Sequence, residues 1–307
     1  MSASISVPTK RRTPTYLRNR AYWGMAFVLP TVLFFAIFYI FPILSGFYLS
    51  LTDFNLLRPP RFVGLENFER LFNDRLFQRS VMVTLGFVFG STVPVWIFSL
   101  LAAKLFFQRF PGREVLKLIF LSPLMPSLVV VSLVWRVLFH PIGPMTSFIG
   151  PFFGVGEIRW LTDVQLSPIT MIIANSWTTA PFYMLIWLAG LTGIPQEYRD
   201  AARVDGANPL QFFLRIELPL LRPTAVFVAA ISMINAFQGF TLQYILSPNQ
   251  GGPVDVNTTL GLLIWKQGFQ WFRMGDAAAT SVVLFCMIMV VTVLQLAWGR
   301  SRDHSLT

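Results

Sequence analysis

Charged residues are scarce in this sequence of 307 amino acids. Asp, Glu, Lys and Arg together make up 12% of it, whereas a soluble domain has roughly 25%. Hydrophobic residues make up 54%, including 31 Phe and 9 Trp, and the mean hydropathy is +0.61. This composition excludes a disordered chain, a coiled coil and an ordinary soluble enzyme, and it indicates contact with lipid.

Residues that commonly bind metals or carry catalysis are also few. The single cysteine, Cys286, lies within an apolar run, which excludes a disulfide framework and a cysteine-based metal site. The two histidines, His140 and His304, provide neither a metal-binding pair nor the base of a catalytic triad. No lysine is followed by Ser or Thr, so the phosphate-binding pattern G-x-x-x-x-G-K-[ST] is absent. We therefore predict that this chain is not an enzyme and binds no metal or cofactor of its own.

Six apolar segments are long enough to cross a membrane, because a spanning helix needs about 20 predominantly apolar residues. Their approximate bounds are 23–50, 80–103, 118–139, 167–192, 223–246 and 277–298. Several contain proline, which spanning helices tolerate because neighbouring groups satisfy the freed carbonyls. The first segment is too long for a signal peptide, and we interpret it as an uncleaved span. The predicted fold class is an all-α integral membrane protein with six transmembrane helices.

Lys and Arg are concentrated in alternate connections between these segments. With the N-terminus inside, the inner segments hold 15 Lys and Arg in 75 residues, against 8 in the 87 residues of the outer segments. The inner segments are 1–22, 104–117, 193–222 and 299–307. Their density of basic residues is about double, which predicts that both termini lie in the cytoplasm. The net charge of +10 is explained by topology, and we predict no nucleic-acid partner.

No Asp, Glu, Lys, Arg or His lies well inside any predicted span. A proton-coupled carrier usually needs such a residue at midmembrane, and a voltage sensor needs buried arginine. The polar residues of the fourth and fifth spans are instead neutral. One interpretation is that they form hydrogen bonds between helices. The other is that they line a path for a neutral, hydroxyl-rich solute. The candidate residues for that path are Asn175, Trp177, Asn235, Gln238 and Gln243.

The connection between the fourth and fifth spans, residues 193–222, predicts two short helices that meet at a sharp turn. Gly206 suits a helix stop that needs positive φ. Asn208 followed by Pro209 is typical of a helix cap and first position, and we expect the second helix to run to about Glu217. The connection is either a loop that rests on the bilayer surface or a protruding element that enters a groove in another protein.

The same connection carries a long pattern with regular spacing. It reads Asp200-Ala201-Ala202, three residues, Gly206, nine residues, Ile216, one residue and Leu218-Pro219, with Asp205-Gly206-Ala207 at its centre. This pattern resembles the EAA loop of binding-protein-dependent ABC importer permeases. Asp200 departs from the family pattern, which usually has Glu, so the carboxylate is kept on a shorter side chain.

The resemblance covers residues 23–298 and is nearest to the sugar-uptake permeases of the maltose, glycerol-phosphate and multiple-sugar type. Five further segments support it: 61–68, 135–139, 160–161, 181–183 and 251–253. It implies a type I ABC importer permease fold with a cytoplasmic coupling helix. The implied organisation is a tail at 1–22, an extra N-terminal helix and outer loop at 23–79, a core at 80–298 with the coupling loop at 193–222, and a tail at 299–307.

The resemblance also implies how the chain meets its partners. Two ATP-binding subunits hold ATP and Mg and receive the coupling helix, and a second permease, which the subfamily implies is a different chain, completes the path. The implied coupling residues are Asp200, Ala201, Ala202, Arg203, Asp205, Gly206, Ala207, Phe212, Phe213, Leu214, Ile216, Leu218 and Pro219. An extracytoplasmic solute-binding protein delivers the solute, and the outer loops at 53–79 and 248–258 are either solvated loops or its docking surface.

The expected function is inward transport of a carbohydrate by alternating access, with a neutral mono-, di- or oligosaccharide favoured. The expected location is the cytoplasmic membrane of a bacterium or archaeon. An ion-driven secondary transporter of a polar solute is a second class of function, and the missing ionisable residues in the spans weigh against it. A membrane enzyme or a structural scaffold is a third class. No clustered carboxylates, metal-ligand spacing or nucleophile–base pair supports an enzyme.

Overall fold

The structure is a computed structural model that describes residues 15–301, with side chains described for residues 22–297. It is helical over most of this range, which confirms the predicted all-α class. The chain divides between Tyr48 and Leu49 into two compact units. The ends of both predicted tails, together with His304, lie outside the described residues.

The first unit contains one long apolar helix. It consists of α1 (Thr15–Phe35), a π-helical turn (Ala36–Ile40) and the start of α2 (Phe41–Ser50), which continues into the second unit. The 29 residues of Tyr22–Ser50 are long and apolar enough to cross a membrane. Their large apolar side chains are mostly exposed, as for Phe27 at 80%, which suits a helix that faces lipid. The first predicted span therefore matches the structure closely.

The second unit contains the remaining elements. It begins with a short antiparallel pair, β1 (Thr52–Asp53) and β2 (Arg61–Phe62), in which Thr52 lies opposite Phe62. The α-helices that follow are α3 (Glu66–Asn73), α4 (Arg75–Phe107), α5 (Arg113–Leu121), α6 (Leu128–Leu138), α7 (Pro144–Phe153), α8 (Leu166–Thr192), α9 (Gln196–Val204), α10 (Pro209–Phe212), α11 (Leu218–Leu220), α12 (Arg222–Phe237), α13 (Thr241–Leu246), α14 (Leu260–Trp265) and α15 (Met274–Ser301). Short 3₁₀ turns lie at Ser122–Leu124, Pro248–Gln250 and Pro253–Asp255, and π-helical turns at Phe213–Glu217 and Lys266–Gln270.

Four described helices are long and apolar enough to cross a membrane, and two bent helix pairs raise that number to six if each pair counts as one span. The straight candidates are the helix of the first unit, α4, α8 and α15. The bent pairs are Arg113–Leu124 with Leu128–Leu138 and Pro209–Leu220 with Arg222–Phe237. The upper number equals the six predicted spans, although the second pair includes part of the predicted 193–222 connection and leaves out α13. The third and fifth differ in shape from the straight helices that the apolar runs predict.

The third predicted span, 118–139, is broken in the middle. α5 and its 3₁₀ extension meet α6 at 99°. Pro126 lies in the break, where it lacks an N–H to donate to the preceding turn. Ser127 then restarts the helix, because its hydroxyl accepts a hydrogen bond from the N–H of Val130 at 3.4 Å.

The fifth predicted span, 223–246, is also interrupted. α12 ends at Phe237, and three residues pass before α13 begins at Thr241. Gly239 lies in this gap, where an added Cβ would approach the carbonyl oxygen of Ala236 and the ring of Phe87 to 3.1 Å each. The close approach explains why the chain has glycine here.

α4 is the central helix of the second unit, because it contributes to all three apolar clusters of the core. Val88 packs with α12, α14 and α15, Phe87 packs with α6, α8 and α13, and Val95 packs with α8 and α12. α4 also carries buried Ser and Thr residues, whose small side chains let spanning helices approach closely. The buried Ser and Thr residues of α4 are Ser80, Thr84, Ser91, Thr92 and Ser99. Indole groups bond across the bundle: Trp187 Nε1 donates to Ser99 Oγ at 3.1 Å.

A polar cluster fixes the start of α15 to α3 and β1. Asp276 is 5% exposed and pairs with Arg70 Nη2 at 2.8 Å and with Arg273 Nη2 at 2.5 Å. Asn67 is fully buried, and its Nδ2 donates to the carbonyl oxygens of Ser50 at 2.8 Å and Thr52 at 2.9 Å. Every charged or polar group named here therefore has a partner, which is the condition for burying it.

Gly275 provides a test of this packing. An added Cβ would lie 2.2 Å from the carbonyl oxygen of Thr52 and 3.0 Å from Asn67 Nδ2, so backbone would have to move. We expect Gly275→Ala to lower the free energy of unfolding by about 1–3 kcal/mol, measured by thermal unfolding in detergent. Gly86→Ala is the matched control, because its Cβ meets nothing within 4 Å, and it should leave stability unchanged or raise it. Equal effects of the two substitutions would contradict the packing described.

Candidate functional site

The turn in the 193–222 connection has the geometry that its sequence predicts. Gly206 has φ of +74°, the left-handed conformation that favours glycine. The N–H of Ala207 donates to the carbonyl oxygen of Ala202 at 2.9 Å, and the N–H of Gly206 donates to that of Arg203 at 3.1 Å. These two bonds form a Schellman motif, which ends α9 and turns the chain sharply.

A complete capping box starts the next helix. The side chain of Asn208 accepts from the N–H of Gln211 at 2.8 Å, and the side chain of Gln211 accepts from the N–H of Asn208 at 3.0 Å. Pro209 occupies the first helical position, where its missing N–H costs nothing. Both ends of the bend are thus fixed by residues within the bend.

The second helix of the connection is longer than predicted. It passes from α10 through the π-helical turn to α11 and ends at Leu220, beyond the expected end at Glu217. The π-helical turn at Phe213–Glu217 explains how the helix continues past Pro219. The N–H of Leu218 reaches back five residues to the carbonyl oxygen of Phe213, so the helix is already opened where the proline lacks a donor.

The predicted coupling residues differ in exposure. Eight are exposed: Asp200, Ala201, Arg203, Asp205, Gly206, Leu214, Leu218 and Pro219. Ala202 is buried, and four are half-buried: Ala207, Phe212, Phe213 and Ile216. The exposed face mixes charge with apolar side chains, including Leu210 and Val204, neither of which was predicted. Such a face suits a protein partner better than solvent.

Three charged residues behind the bend were missed from the sequence. Glu217 is 3% exposed, and its carboxylate pairs with Lys104 Nζ in the last turn of α4 and with Arg199 Nη2 of α9 at 3.6 Å. The only sequence signal was a carboxylate between apolar neighbours, Ile216 and Leu218. These residues line a pocket of about 230 Å³ under the bend.

A second cavity, of about 220 Å³, lies between α4, α8 and the interrupted fifth span. Four of the five predicted path residues line it together, namely Asn175, Asn235, Gln238 and Gln243. The gap between α12 and α13 places Gln238, Gly239 and Phe240 on its wall. Ser91 and Thr92 of α4 also line it and were missed, because a hydroxyl in an apolar run usually bonds to its own helix.

Trp177, the fifth predicted path residue, does not line this cavity. It is half exposed, and its ring meets that of Trp135 edge to face with 5.6 Å between centroids. Its role in a solute path stays a prediction.

The side-chain amides on the cavity wall differ in whether they have hydrogen-bond partners. Asn235 Nδ2 donates to Tyr183 Oη at 3.0 Å. Gln243 is 1% exposed, and neither its Oε1 nor its Nε2 has a hydrogen-bond partner among the described residues. A buried amide without partners is destabilising, so its position on a cavity wall points to a polar occupant. The cavity wall has no charged side chain among the described residues.

The connection between α13 and α14, which the sequence predicts to be an outer loop, is strained and is held by a charged cluster. Asn249, Gln250, Val254 and Asp255 all have positive φ, which costs energy in residues other than glycine. Lys266 Nζ contacts Asp255 Oδ1 at 3.1 Å. Partial burial acts to raise the pKa of Asp255, but hydrogen bonds from Thr258 and Lys266, with the charge of Lys266, outweigh it and hold the pKa below its usual value.

A family comparison decides what kind of protein carries this site. The family model described as "Binding-protein-dependent transport system inner membrane component" matches residues 95–301, about two thirds of the chain. The chain belongs to this family. The matched range includes the bend around Gly206 and most of the cavity wall, so both lie in the part that these inner membrane components share. Among the described residues, no group of His, Cys, Asp and Glu could hold a metal ion.

Curated transport proteins align with this chain over most of their length. The probable ABC transporter permease protein YesP of Bacillus subtilis is 32% identical, and the alignment covers 88% of each chain. The trehalose/maltose transport system permease protein MalF of Thermococcus litoralis is 31% identical over 92% of this chain and 96% of the relative. The sn-glycerol-3-phosphate transport system permease protein UgpA of Escherichia coli O157:H7 is 31% identical over 90% of this chain and 93% of the relative. The relatives are thus transport permeases.

Solved structures show the same fold. A chain of the bacterial alginate ABC transporter, in complex with its alginate pentasaccharide-bound periplasmic protein, superposes with a TM-score of 0.81. It is 22% identical, and the match covers 92% of this chain and 96% of that one. A chain of the MetNI methionine ABC transporter superposes with a TM-score of 0.53 over 74% of this chain. The structural likeness confirms the predicted type I ABC permease fold.

Gln243 provides a test of the cavity geometry. Gln243→Leu removes two unpaired buried polar atoms, so we expect thermal unfolding in detergent to show unchanged or raised stability. Gln267→Leu is the matched control, because Gln267 is 3% exposed but its Oε1 accepts from Thr280 Oγ1 at 2.7 Å. The control should lose about 0.5–1.5 kcal/mol, the net contribution of one hydrogen bond, because Thr280 Oγ1 keeps its other bond to the carbonyl oxygen of Asp276 at 2.9 Å. A comparable loss in Gln243→Leu would show that its amide is bonded within the protein.

Proposed function

We propose that this chain is the permease subunit of an ATP-driven importer that moves a neutral carbohydrate inward by alternating access. The observation that carries the proposal is the combination of an exposed, rigidly capped bend at residues 200–217 with an uncharged cavity lined by amides. The bend suits a nucleotide-driven partner, and the cavity suits a solute rich in hydroxyl groups.

The cavity wall supports the class of solute. Amides such as Asn175 and Gln243 both donate and accept hydrogen bonds, as hydroxyl groups require. Phe87 and Phe240 add apolar faces that can pack on the apolar side of a sugar ring. No described side chain on the wall carries the charge that would bind an ion, so a neutral sugar fits better than an anionic one. The name of the trehalose/maltose relative agrees with this class, whereas that of the sn-glycerol-3-phosphate relative gives an anionic solute.

The bend supports the source of energy. This chain has no phosphate-binding loop of its own, so ATP and Mg are held by two ATP-binding subunits, each with a cleft for a coupling helix. Asp200 and Arg203 provide exposed polar anchors, 3.6 Å apart, and Leu214 provides an apolar contact. Phe212 and Phe213 support that face from half-buried positions.

The remaining partners follow from the same scheme. A second permease, a different chain, completes the solute path, and an extracytoplasmic solute-binding protein docks on the outer connections. The strained connection at 248–258, held by Lys266, is part of that docking surface. Both termini lie in the cytoplasm, and the protein lies in the cytoplasmic membrane of a bacterium or archaeon. The twofold excess of basic residues in the inner segments supports this orientation.

The mechanism requires that the ATP-binding subunits distinguish two conformations of the permease pair. ATP binding closes the two subunits, their clefts carry the coupling helices with them, and the permeases rock to open the cavity outward. Hydrolysis reverses the motion. Bound nucleotide can shift the permeases only by the difference in its binding free energy for the two conformations.

Uptake assays separate this function from ion-driven transport. We expect proteoliposomes that contain this chain with its second permease, ATP-binding subunits and solute-binding protein to accumulate a radiolabelled sugar only with internal ATP. Vanadate should abolish the uptake, and a proton ionophore should leave it unchanged. Uptake that needs an ion gradient and persists without ATP would refute the proposal.

Gly206 tests the role of the bend. Gly206→Val places a β-branched residue at a φ of +74°, although its Cβ meets nothing within 4 Å, so the effect is on the backbone alone. We expect ATP-driven uptake to fall by about 5- to 30-fold, which corresponds to the 1–2 kcal/mol cost of left-handed backbone. Gly206→Asn is the matched control, because Asn tolerates this conformation, and it should keep most of the uptake. Wild-type uptake and ATP hydrolysis in Gly206→Val would exclude the bend from coupling.

A further inference from the structure

A cluster of five residues, with Glu217 buried and the other four half-buried, joins α4 to the bend, taken here together with Arg199, the α9 residue that directly precedes it. Glu217 lies at its centre, with Lys104 and Phe107 from the last turns of α4 and Arg199 and Phe213 from the bend. We call these five residues the Glu217 cluster. Glu217 is 3% exposed, and its carboxylate faces two cations. The side chain of Lys104 is 29% exposed and that of Arg199 is 16% exposed.

In the Glu217 cluster, each cation lies over an aromatic ring that belongs to the other element, α4 or the bend. Lys104 Nζ from α4 lies 4.4 Å from the centre of the Phe213 ring in the bend. Arg199 Cζ from the bend lies 4.1 Å from the centre of the Phe107 ring in α4. Each element therefore supplies one cation and one ring to the other, and the carboxylate of Glu217 contacts both cations. A displacement of the bend against α4 would break several contacts at once.

α4 connects this cluster to the cavity. Ser91 and Thr92 of the same helix line the cavity wall, and Lys104 is 12 residues beyond Thr92, about 18 Å along the helix axis. Val95, Ala103 and residues of α8 and α12 pack between these two points in one apolar cluster. A close-packed segment of this kind moves as a unit and transmits displacement.

We infer that Glu217 is a positioning residue for transport: it fixes the coupling bend to α4, so that movement of the bend moves the cavity wall. This inference rests on the proposed function, because it names the link through which the proposed coupling acts. It assigns to Glu217 no contact with solute or nucleotide. Its effect passes through Lys104 and α4.

The physical link is tested on the full chain in detergent, without transport. Lys104→Met, Glu217→Gln and the double variant form a cycle whose unfolding free energies show whether the two residues interact. We expect the double variant to be less destabilised than the sum of the two single variants. Additive effects would overturn the link.

The coupling role is tested on the assembled transporter in proteoliposomes, by the amount of sugar moved per ATP hydrolysed. We expect Glu217→Gln to keep ATP hydrolysis and to lower this ratio by about 5- to 150-fold, the range typical of energetic coupling between linked sites. Glu217→Asp, which keeps the charge, should restore part of the ratio. Glu114→Gln is the control, because it removes the carboxylate of the exposed pair between Arg113 and Glu114 at 2.5 Å, and it should leave the ratio unchanged.

Two results separate this inference from the proposed function. Normal uptake by the wild type, with an unchanged ratio in Glu217→Gln, would overturn the role of Glu217 and leave the proposed function standing. Absence of ATP-driven uptake in the wild type would overturn both. If Glu217→Gln does not assemble with its partners, Lys104→Met gives the second variant, and a wild-type ratio in it would equally overturn the role.

Discussion

Lipid offers no hydrogen bonds to a polypeptide backbone, and this constraint explains where the helices of this protein break. Non-helical backbone at membrane depth is tolerated only where it is buried in protein or lines a cavity. The gap between α12 and α13 lines the cavity through Gln238, Gly239 and Phe240. Leu128, the first residue after the break between α5 and α6, lines it as well. Both interruptions therefore border the same cavity.

Charge is distributed to suit this arrangement. At one end of α4, Asp276 with its two arginines fixes the start of α15 to α3. At the other end, Glu217 with its two cations fixes the bend to α4. Between these ends the cavity wall presents neutral amides and hydroxyls. Charge thus makes fixed contacts at the ends of the bundle, and the described side chains that line the cavity between them are neutral.

Local features were predictable from the sequence, and long-range ones were not. The Schellman turn at Gly206 and the cap at Asn208 depend on residues within a few positions of each other, so their pattern predicts them. Pro126 is evident in the sequence, but spanning helices tolerate proline, so its presence alone does not predict the 99° break. The pairing of Glu217 with Lys104 joins residues 113 positions apart, and neither residue alone indicates it. Ser91 faces the cavity and Ser80 does not, although both are buried hydroxyls on one apolar helix.

The central claim is that the bend at residues 200–217 lies against an ATP-binding subunit and transmits its movement. Chemical cross-linking tests it most directly, because the chain has a single natural cysteine, Cys286. In a Cys286→Ala background, Asp205→Cys places one reactive thiol at the exposed tip of the bend. We predict that a short bifunctional reagent links this position to the ATP-binding subunit in the assembled transporter, with a yield that changes when ATP binds. A cross-link to the solute-binding protein instead, or none to the ATP-binding subunit with or without ATP, would contradict the claim.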